Sequence, residues 1–153
     1  MKKPSVEEMS KIHKHFASKC NNEFWSLSER ELESSALPKL LSLSFASLYH
    51  WSEVGTEENV QLANLAVARA LCLNDSLRCV YFAQAAYNYF DENGADWIQA
   101  FTNAVLSHAL LISKNRDKAI ELYEKALRHQ LKLSDGDRGI FDATFKLIPD
   151  PRI

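Results

Sequence analysis

The chain has 153 residues, 46% of them hydrophobic and 25% charged, which is ordinary for one globular domain with a real core. Only four glycines and four prolines occur, which argues against an all-β fold built on tight turns. The net charge is −2, and residues 21–75 are markedly acidic. This disfavours a nucleic-acid surface, because phosphate binding needs a basic stripe.

Apolar residues recur at helical spacing along the whole chain, and two helices are predicted in residues 1–56. Ser5 followed by Glu8 predicts a capping box that opens a helix over residues 6–25. A second capping box, Ser28 with Glu31, predicts a helix that runs on to residue 53. Pro38 should give this second helix a kink or a late start.

Four more helices are predicted between residues 57 and 132. The third follows Thr56 and is apolar almost all round, which is typical of a central, buried helix. Asp96 is expected to cap the fifth, and Glu121 is expected to pair with Lys125 at i,i+4 on the sixth. The expected ranges of these four helices are 57–73, 76–91, 97–113 and 117–132.

A short seventh helix is predicted from Asp137 to a point before Pro149, within a C-terminal segment of residues 133–153. All four glycines fall between the periodic segments, where they would end or connect helices. Short loops make neighbouring helices antiparallel. The predicted class is therefore all-α, a single domain over residues 1–153 with about seven helices.

One segment resembles a known family. The sequence NRDKAIELYEKAL, residues 115–127, has a small residue at Ala119, an aromatic at Tyr123 and an alanine at Ala126. This pattern resembles the second helix of a tetratricopeptide repeat (TPR). The fourth helix, laid over the sixth with an offset of 40 residues, matches it loosely.

The resemblance covers roughly residues 57–132, as two helix pairs, and implies a TPR-like right-handed stack. The segments FWSL, HW and VGT, within residues 24–56, also resemble a bacterial family of TPR-like proteins without an assigned activity. That likeness implies a fold and a bacterial, cytoplasmic setting. Three cysteines without a C-x-x-C pair, no apolar leader and no apolar run of roughly 18 residues suit the same setting.

Few residues suggest chemistry. His50 lies near the end of the second helix, where the helix dipole favours it, so a structural role is preferred over contact with a ligand. Catalysis would need a nucleophile or a second titrating group beside the imidazole, and no such pair stands at usable spacing. Cys72 and Cys79 flank a turn and could come close, although a buried pair of thiols is preferred over a disulfide. No metal site or cofactor is predicted.

The resemblance implies a binding surface, because the first helix of each TPR pair lines a concave groove. This mixed surface would suit a bound peptide or helix. The alternative is that Phe101 and Leu111 pack under the N-terminal helices. The predicted groove residues are Gln61, Asn64, Ala68, Phe101, Ala104, His108 and Leu111.

These observations favour a non-catalytic module that binds a protein or peptide, with no nucleic acid and no membrane involved. The second hypothesis is a self-associating homodimer. An exposed patch at Trp25, Phe45 or Trp97 would favour that second hypothesis. An enzyme or a small-ligand-binding protein is the least favoured class.

Overall fold

The computed structural model describes residues 3–153, and within that range the chain is all-α, as predicted, with no strand. A short 3-10 turn precedes the second helix. The seven helices are α1 (Val6–Ser28), α2 (Leu37–Val54), α3 (Glu57–Leu73), α4 (Cys79–Phe90), α5 (Asp96–Ile112), α6 (Arg116–Gln130) and α7 (Asp135–Phe145).

The helices pack mainly with their neighbours in the chain. The pairs α1–α2, α3–α4 and α5–α6 make the most extensive contacts. Helix α3 also touches α1, α2 and α5, and α7 packs against α5. The result is a stack of helix pairs in which α3 and α5 are central.

These two central helices are the most buried parts of the molecule. In α3 every residue from 65 to 72 is buried, and in α5 every residue from 100 to 110 is buried. The prediction that the third helix is a central, buried one is confirmed. Helix α5 is buried to a similar extent, and its buried residues include polar ones such as Asn103 and His108.

Small side chains occupy the contacts between paired helices. Ala83 and Ala126 are fully buried, as is Ser107, whose hydroxyl donates to the carbonyl of Ala119 on α6 at 2.7 Å. In the first pair, the Ser47 hydroxyl of α2 donates to a carbonyl of α1 at 3.0 Å. Because these side chains are short, the helix backbones come within reach of each other.

The helix starts depend on local capping, and one predicted cap is wrong. At α1, the Ser5 hydroxyl accepts from the backbone N–H of Glu8, whose carboxylate accepts from Ser5 in turn, which confirms the predicted capping box. Ser28, in contrast, is the buried last residue of α1, and its hydroxyl donates to the carbonyl of Trp25. Helix α2 begins at Leu37 with a proline in its first turn, so the predicted late start is confirmed.

Three smaller expectations are also corrected. Asp96 is the first residue of α5 and not its cap, and its carboxylate is bound by His129. The ammonium of Lys125 lies 3.0 Å from the carboxylate of Asp91 and so links α6 to the end of α4 instead of pairing along α6. Two of the four glycines, at positions 136 and 139, lie inside α7.

Among the described residues, none of the helices combines the length and the apolar character needed to cross a bilayer.

Two glycines give a matched test of the loop and helix geometry. A Cβ at Gly55 would lie 2.7 Å from the backbone oxygen of Trp51 and 3.0 Å from Asn59 Cβ, whereas one at Gly136 meets nothing within 4 Å. We expect Gly55→Ala to lower the free energy of unfolding by about 1–3 kcal/mol through overpacking. Gly136→Ala should raise it by up to about 1 kcal/mol, because alanine is the better helix former.

Urea denaturation of the two variants and the wild type measures both effects. If the free energy of unfolding of Gly55→Ala were unchanged, the α2–α3 connection would have to shift and relieve the close contact between the new Cβ and the backbone oxygen of Trp51 at no cost.

Candidate functional site

Most of the predicted groove residues are buried. Ala68 and Ala104 are fully buried, and Phe101 and His108 are each 7% exposed. Leu111 is half-buried against the core. The expectation of an open groove is therefore wrong for the four buried residues, and a role in binding for the three half-buried ones, Gln61, Asn64 and Leu111, stays a prediction.

The cause is the covering of the central helices by the two ends of the chain. The ring of Phe101 packs edge-on against Trp25 of α1, with centroids 5.6 Å apart, and against Phe141 of α7 at 5.2 Å. For Phe101, though not for Leu111, these contacts agree with the alternative prediction of packing under the N-terminal helices, and α7 covers Phe101 as well. On α3, Gln61 and Asn64 stay half-buried and hydrogen-bond to each other.

An opening remains between the covering helices. We call it the apolar pocket, a cavity of about 450 Å³ between α1, α3, α5 and α7. Its apolar lining consists chiefly of Trp25, Leu62, Leu65, Trp97, Phe101 and Ile140. Trp97 and Ile140 at its mouth are 41% and 60% exposed, so apolar surface is open to a ligand there.

The charged residues that line the apolar pocket are both acidic, Glu29 and Asp137. Glu29 directly follows α1, and burial raises the pKa of its carboxyl, an effect that the charge of Lys146 opposes. A carboxylate that has lost part of its hydration is stabilised by a nearby cation. The mouth of the pocket therefore favours a positively charged group beside an apolar one.

A second polar feature is closed inside the core. The guanidinium of Arg69 is fully buried, and its Nη1 lies 3.2 Å from Nδ1 of His108. Its Nε and Nη2 have no hydrogen-bond partner among the described residues. Burial lowers the pKa of Arg69 to about 10, so the group keeps its charge near neutral pH.

His108 is held neutral beside this cation. Burial, followed by the charge of Arg69, lowers the pKa of His108 to about 4. A neutral imidazole with Nδ1 unprotonated accepts the Arg69 hydrogen bond, and a protonated one cannot. The pair is a buried structural contact between α3 and α5, and it lies outside the lining of the apolar pocket.

The histidine of the second helix also has a partner in the structure. Nδ1 of His50 lies 2.9 Å from Nδ1 of His13 on α1, and the His50 ring stacks on Phe16 and contacts Tyr49. Burial, and then the charge of His13, lowers the pKa of His50. The predicted structural role for His50 fits this contact between α1 and α2. In residues 3–153 no group of three or more His, Cys, Asp or Glu side chains is placed to hold a metal ion.

Comparison with protein-family models, with curated proteins and with solved structures finds no match to this chain.

Sequence reasoning missed the residues that α1 and α7 contribute to the pocket, namely Trp25, Glu29, Asp137 and Ile140. The sequence offered one indication of this surface. Trp25 and Trp97 are large aromatic residues whose exposure would favour self-association. Asn21 and Trp25 also share one face of α1, and Glu29 follows at the same spacing of four residues just after the helix ends. Nothing local in the sequence indicates that this face turns towards α5.

The buried imidazole predicts a pH dependence of stability. Because the pKa of His108 falls from its usual 6.5 to about 4 on folding, the folded state binds fewer protons than the unfolded state between these pH values. The contribution of His108 to the free energy of unfolding is therefore fully present above pH 6.5. It is lost as the pH falls towards 4, which lowers the free energy of unfolding by up to about 3 kcal/mol. The variant His108→Gln keeps an acceptor for Arg69 and cannot titrate, so it should lose less over this range.

Urea denaturation at several pH values between 7 and 4 checks this, with the exposed His15→Gln as a matched control. Carboxylates titrate in the wild type and in both variants alike. The effect of His108 is therefore the difference between the wild-type and His108→Gln curves of unfolding free energy against pH. If His108→Gln followed the wild-type curve, the imidazole would not be held neutral by the fold.

Proposed function

We propose that the protein is a non-catalytic recognition module that binds a segment of a partner protein in the apolar pocket. The observation that carries this proposal is an apolar cavity, open at Trp97 and Ile140, with a rim whose charged groups are both acidic. The stacked helix pairs and the TPR-like pattern of residues 115–127 support it, because such stacks commonly serve to hold peptides or helices.

The size and the lining of the pocket suit an anchoring side chain. Its volume of about 450 Å³ lies within the roughly 300–1,000 Å³ that is typical of ligand pockets. Aromatic side chains from three positions, Trp25, Trp97 and Phe101, contribute to the lining. Interfaces draw most of their binding energy from a few such buried apolar anchors.

The rim defines the charge of the partner. Glu29 and Asp137 would each gain a favourable interaction with a lysine or arginine placed beside the anchor. Among residues 3–153 no basic side chain lines the pocket, so it does not suit a C-terminal carboxylate, which TPR proteins grip with several basic side chains. We therefore propose a partner segment with an apolar residue next to a basic one.

A binding role is preferred over catalysis because of where the titrating groups lie. Arg69 and His108, whose pKa values are strongly shifted, are buried in the core and lie outside the pocket lining. The described lining of the pocket offers two carboxylates and contains no serine, cysteine, lysine or histidine. A non-catalytic module is consistent with this separation.

Peptide display on the immobilised protein tests the proposal even though the partner is unidentified. We expect the wild type to enrich peptides in which a bulky apolar residue adjoins lysine or arginine. The double variant Trp97→Ala/Ile140→Ala should lose that enrichment, with at least about a tenfold fall in affinity for a selected peptide, because two apolar anchors are removed. Glu29→Gln should keep the apolar preference and weaken the basic one.

The matched control is Tyr81→Ala, which removes a side chain that is 75% exposed and lies outside the apolar pocket. Circular dichroism would establish that each variant is folded. Enrichment that survives in the Trp97→Ala/Ile140→Ala variant, or the absence of any enrichment by the wild type, would contradict binding at this pocket.

Self-association is the second candidate, and exposed aromatic side chains favour it. Phe45 of α2 is 42% exposed and packs edge-on against Phe82 of α4, beside the highly exposed Tyr81. Contiguous apolar surface of this kind is typical of interfaces between subunits.

If this second candidate holds, the wild type sediments as a dimer and Phe45→Glu sediments as a monomer, because a buried charge would destabilise the interface. Sedimentation velocity over a range of concentrations gives the answer. A wild type that stays monomeric at all concentrations would exclude the homodimer.

A further inference from the structure

Two histidines from different helices meet between α1 and α2. Nδ1 of His13 on α1 lies 2.9 Å from Nδ1 of His50 on α2, and the centroids of the two rings are 5.0 Å apart. The two positions are separated by 37 residues, so no local spacing in the sequence indicates the pair. Both residues are half-buried, and solvent can therefore reach them.

The neighbouring contacts fix the position of both rings. The Ser47 hydroxyl, one turn before His50 on α2, donates to a backbone carbonyl of α1 at 3.0 Å and sets the distance between the two helices beside the pair. The His50 ring stacks on Phe16, with centroids 5.7 Å apart. The His13 ring is tilted against Tyr49 at 6.0 Å. Donor groups whose orientation is fixed by packing need little reorganisation to bind a ligand.

The contact between two Nδ1 atoms uses one proton. One ring donates from Nδ1, and the other ring, which carries its proton on Nε2, accepts. If the first ring also carries its proton on Nε2, the lone pairs of both Nδ1 atoms are free. Unprotonated imidazole nitrogens are common metal ligands, and one metal ion can bind two of them at once.

The separation of the two nitrogens favours one coordination geometry. Bonds between a metal ion and imidazole nitrogen are roughly 2.0–2.1 Å long, so two of them at a right angle place the nitrogens about 2.9 Å apart. The tetrahedral angle that is typical of Zn²⁺ sites would need about 3.3–3.4 Å. The observed distance of 2.9 Å agrees with the right angle, which is found in the square-planar and tetragonal sites of Cu²⁺ and Ni²⁺.

We propose that His13 and His50 bind one divalent ion of tetragonal geometry, Cu²⁺ or Ni²⁺, through their two Nδ1 atoms. On binding, the donor ring moves its proton from Nδ1 to Nε2, and each Nδ1 gives its lone pair to the ion. Water occupies the remaining positions on the side open to solvent. Glu53, an exposed carboxylate one turn after His50 on α2, adds negative charge near the incoming cation. The bound ion joins the first two helices.

Isothermal titration calorimetry with the chlorides of Cu²⁺, Ni²⁺ and Zn²⁺ tests the proposal on the full chain without a histidine tag. All proteins carry Cys20→Ser, because this thiol is partly exposed, whereas the other two cysteines are at most 1% exposed. We expect one ion per chain and tighter binding of Ni²⁺ than of Zn²⁺. His13→Gln and His50→Gln should each weaken binding of Cu²⁺ and Ni²⁺ at least about tenfold, because each removes one of the two protein ligands.

The matched control is His15→Gln, which removes an exposed histidine of the same helix and should leave the affinity unchanged. Electron paramagnetic resonance of the Cu²⁺ complex needs no variant and should show coupling to two imidazole nitrogens. Circular dichroism establishes that each variant is folded. Equal binding by the parent protein and the double variant His13→Gln/His50→Gln, no binding at one ion per chain, or tighter binding of Zn²⁺ than of Ni²⁺ would overturn the proposal.

Discussion

The close approach of paired helices, which small side chains permit, determines how the rest of the molecule is arranged. Fully buried alanines such as Ala83, Ala119 and Ala126 leave little volume between paired helices. Serine hydroxyls can then reach carbonyl oxygens of the partner helix, as Ser107 does. Larger side chains are accommodated where three or more helices meet, and it is there, around Phe101, that the covering of the core is incomplete and the apolar pocket opens.

The dense centre also contains a buried cation, Arg69, for which the described part of the chain provides no carboxylate partner. Arg69 and His108 each lie four residues before the end of their helices, α3 and α5. The negative ends of the two helix dipoles favour positive charge in this region and offset part of the desolvation cost. The same end of the stack contains Cys79, whose sulfur lies 4.0 Å from the carbonyl oxygen of Ala109, next to His108. The pocket, lined by residues of α1 and α7, is separate from them.

Local features of the chain were predictable, and features that depend on distant packing were not. The caps at Ser5 and Thr56 and the buried character of α3 follow from residues close in sequence, and the structure contains them. Ser28 has the same local signature as a cap, but Phe24 and Ser28 are both buried and α1 continues as far as Ser28. The burial of four of the seven predicted groove residues was missed for a related reason, because the exposure of α3 and α5 depends on where α1 and α7 pack. The residues of α3 and α5 alone do not indicate that packing.

The position of the pocket has a consequence for the dynamics of the protein. Its walls include the first and last helices, α1 and α7, each of which packs chiefly against one neighbour, α2 and α5 respectively. Terminal elements with few neighbours open locally at a lower free energy than the centre of a structure, and their amide hydrogens exchange sooner. A ligand held between two such helices would slow exchange at both ends of the chain at once, although the ends share little contact of their own. Occupancy of the pocket would thus couple the two termini through the ligand.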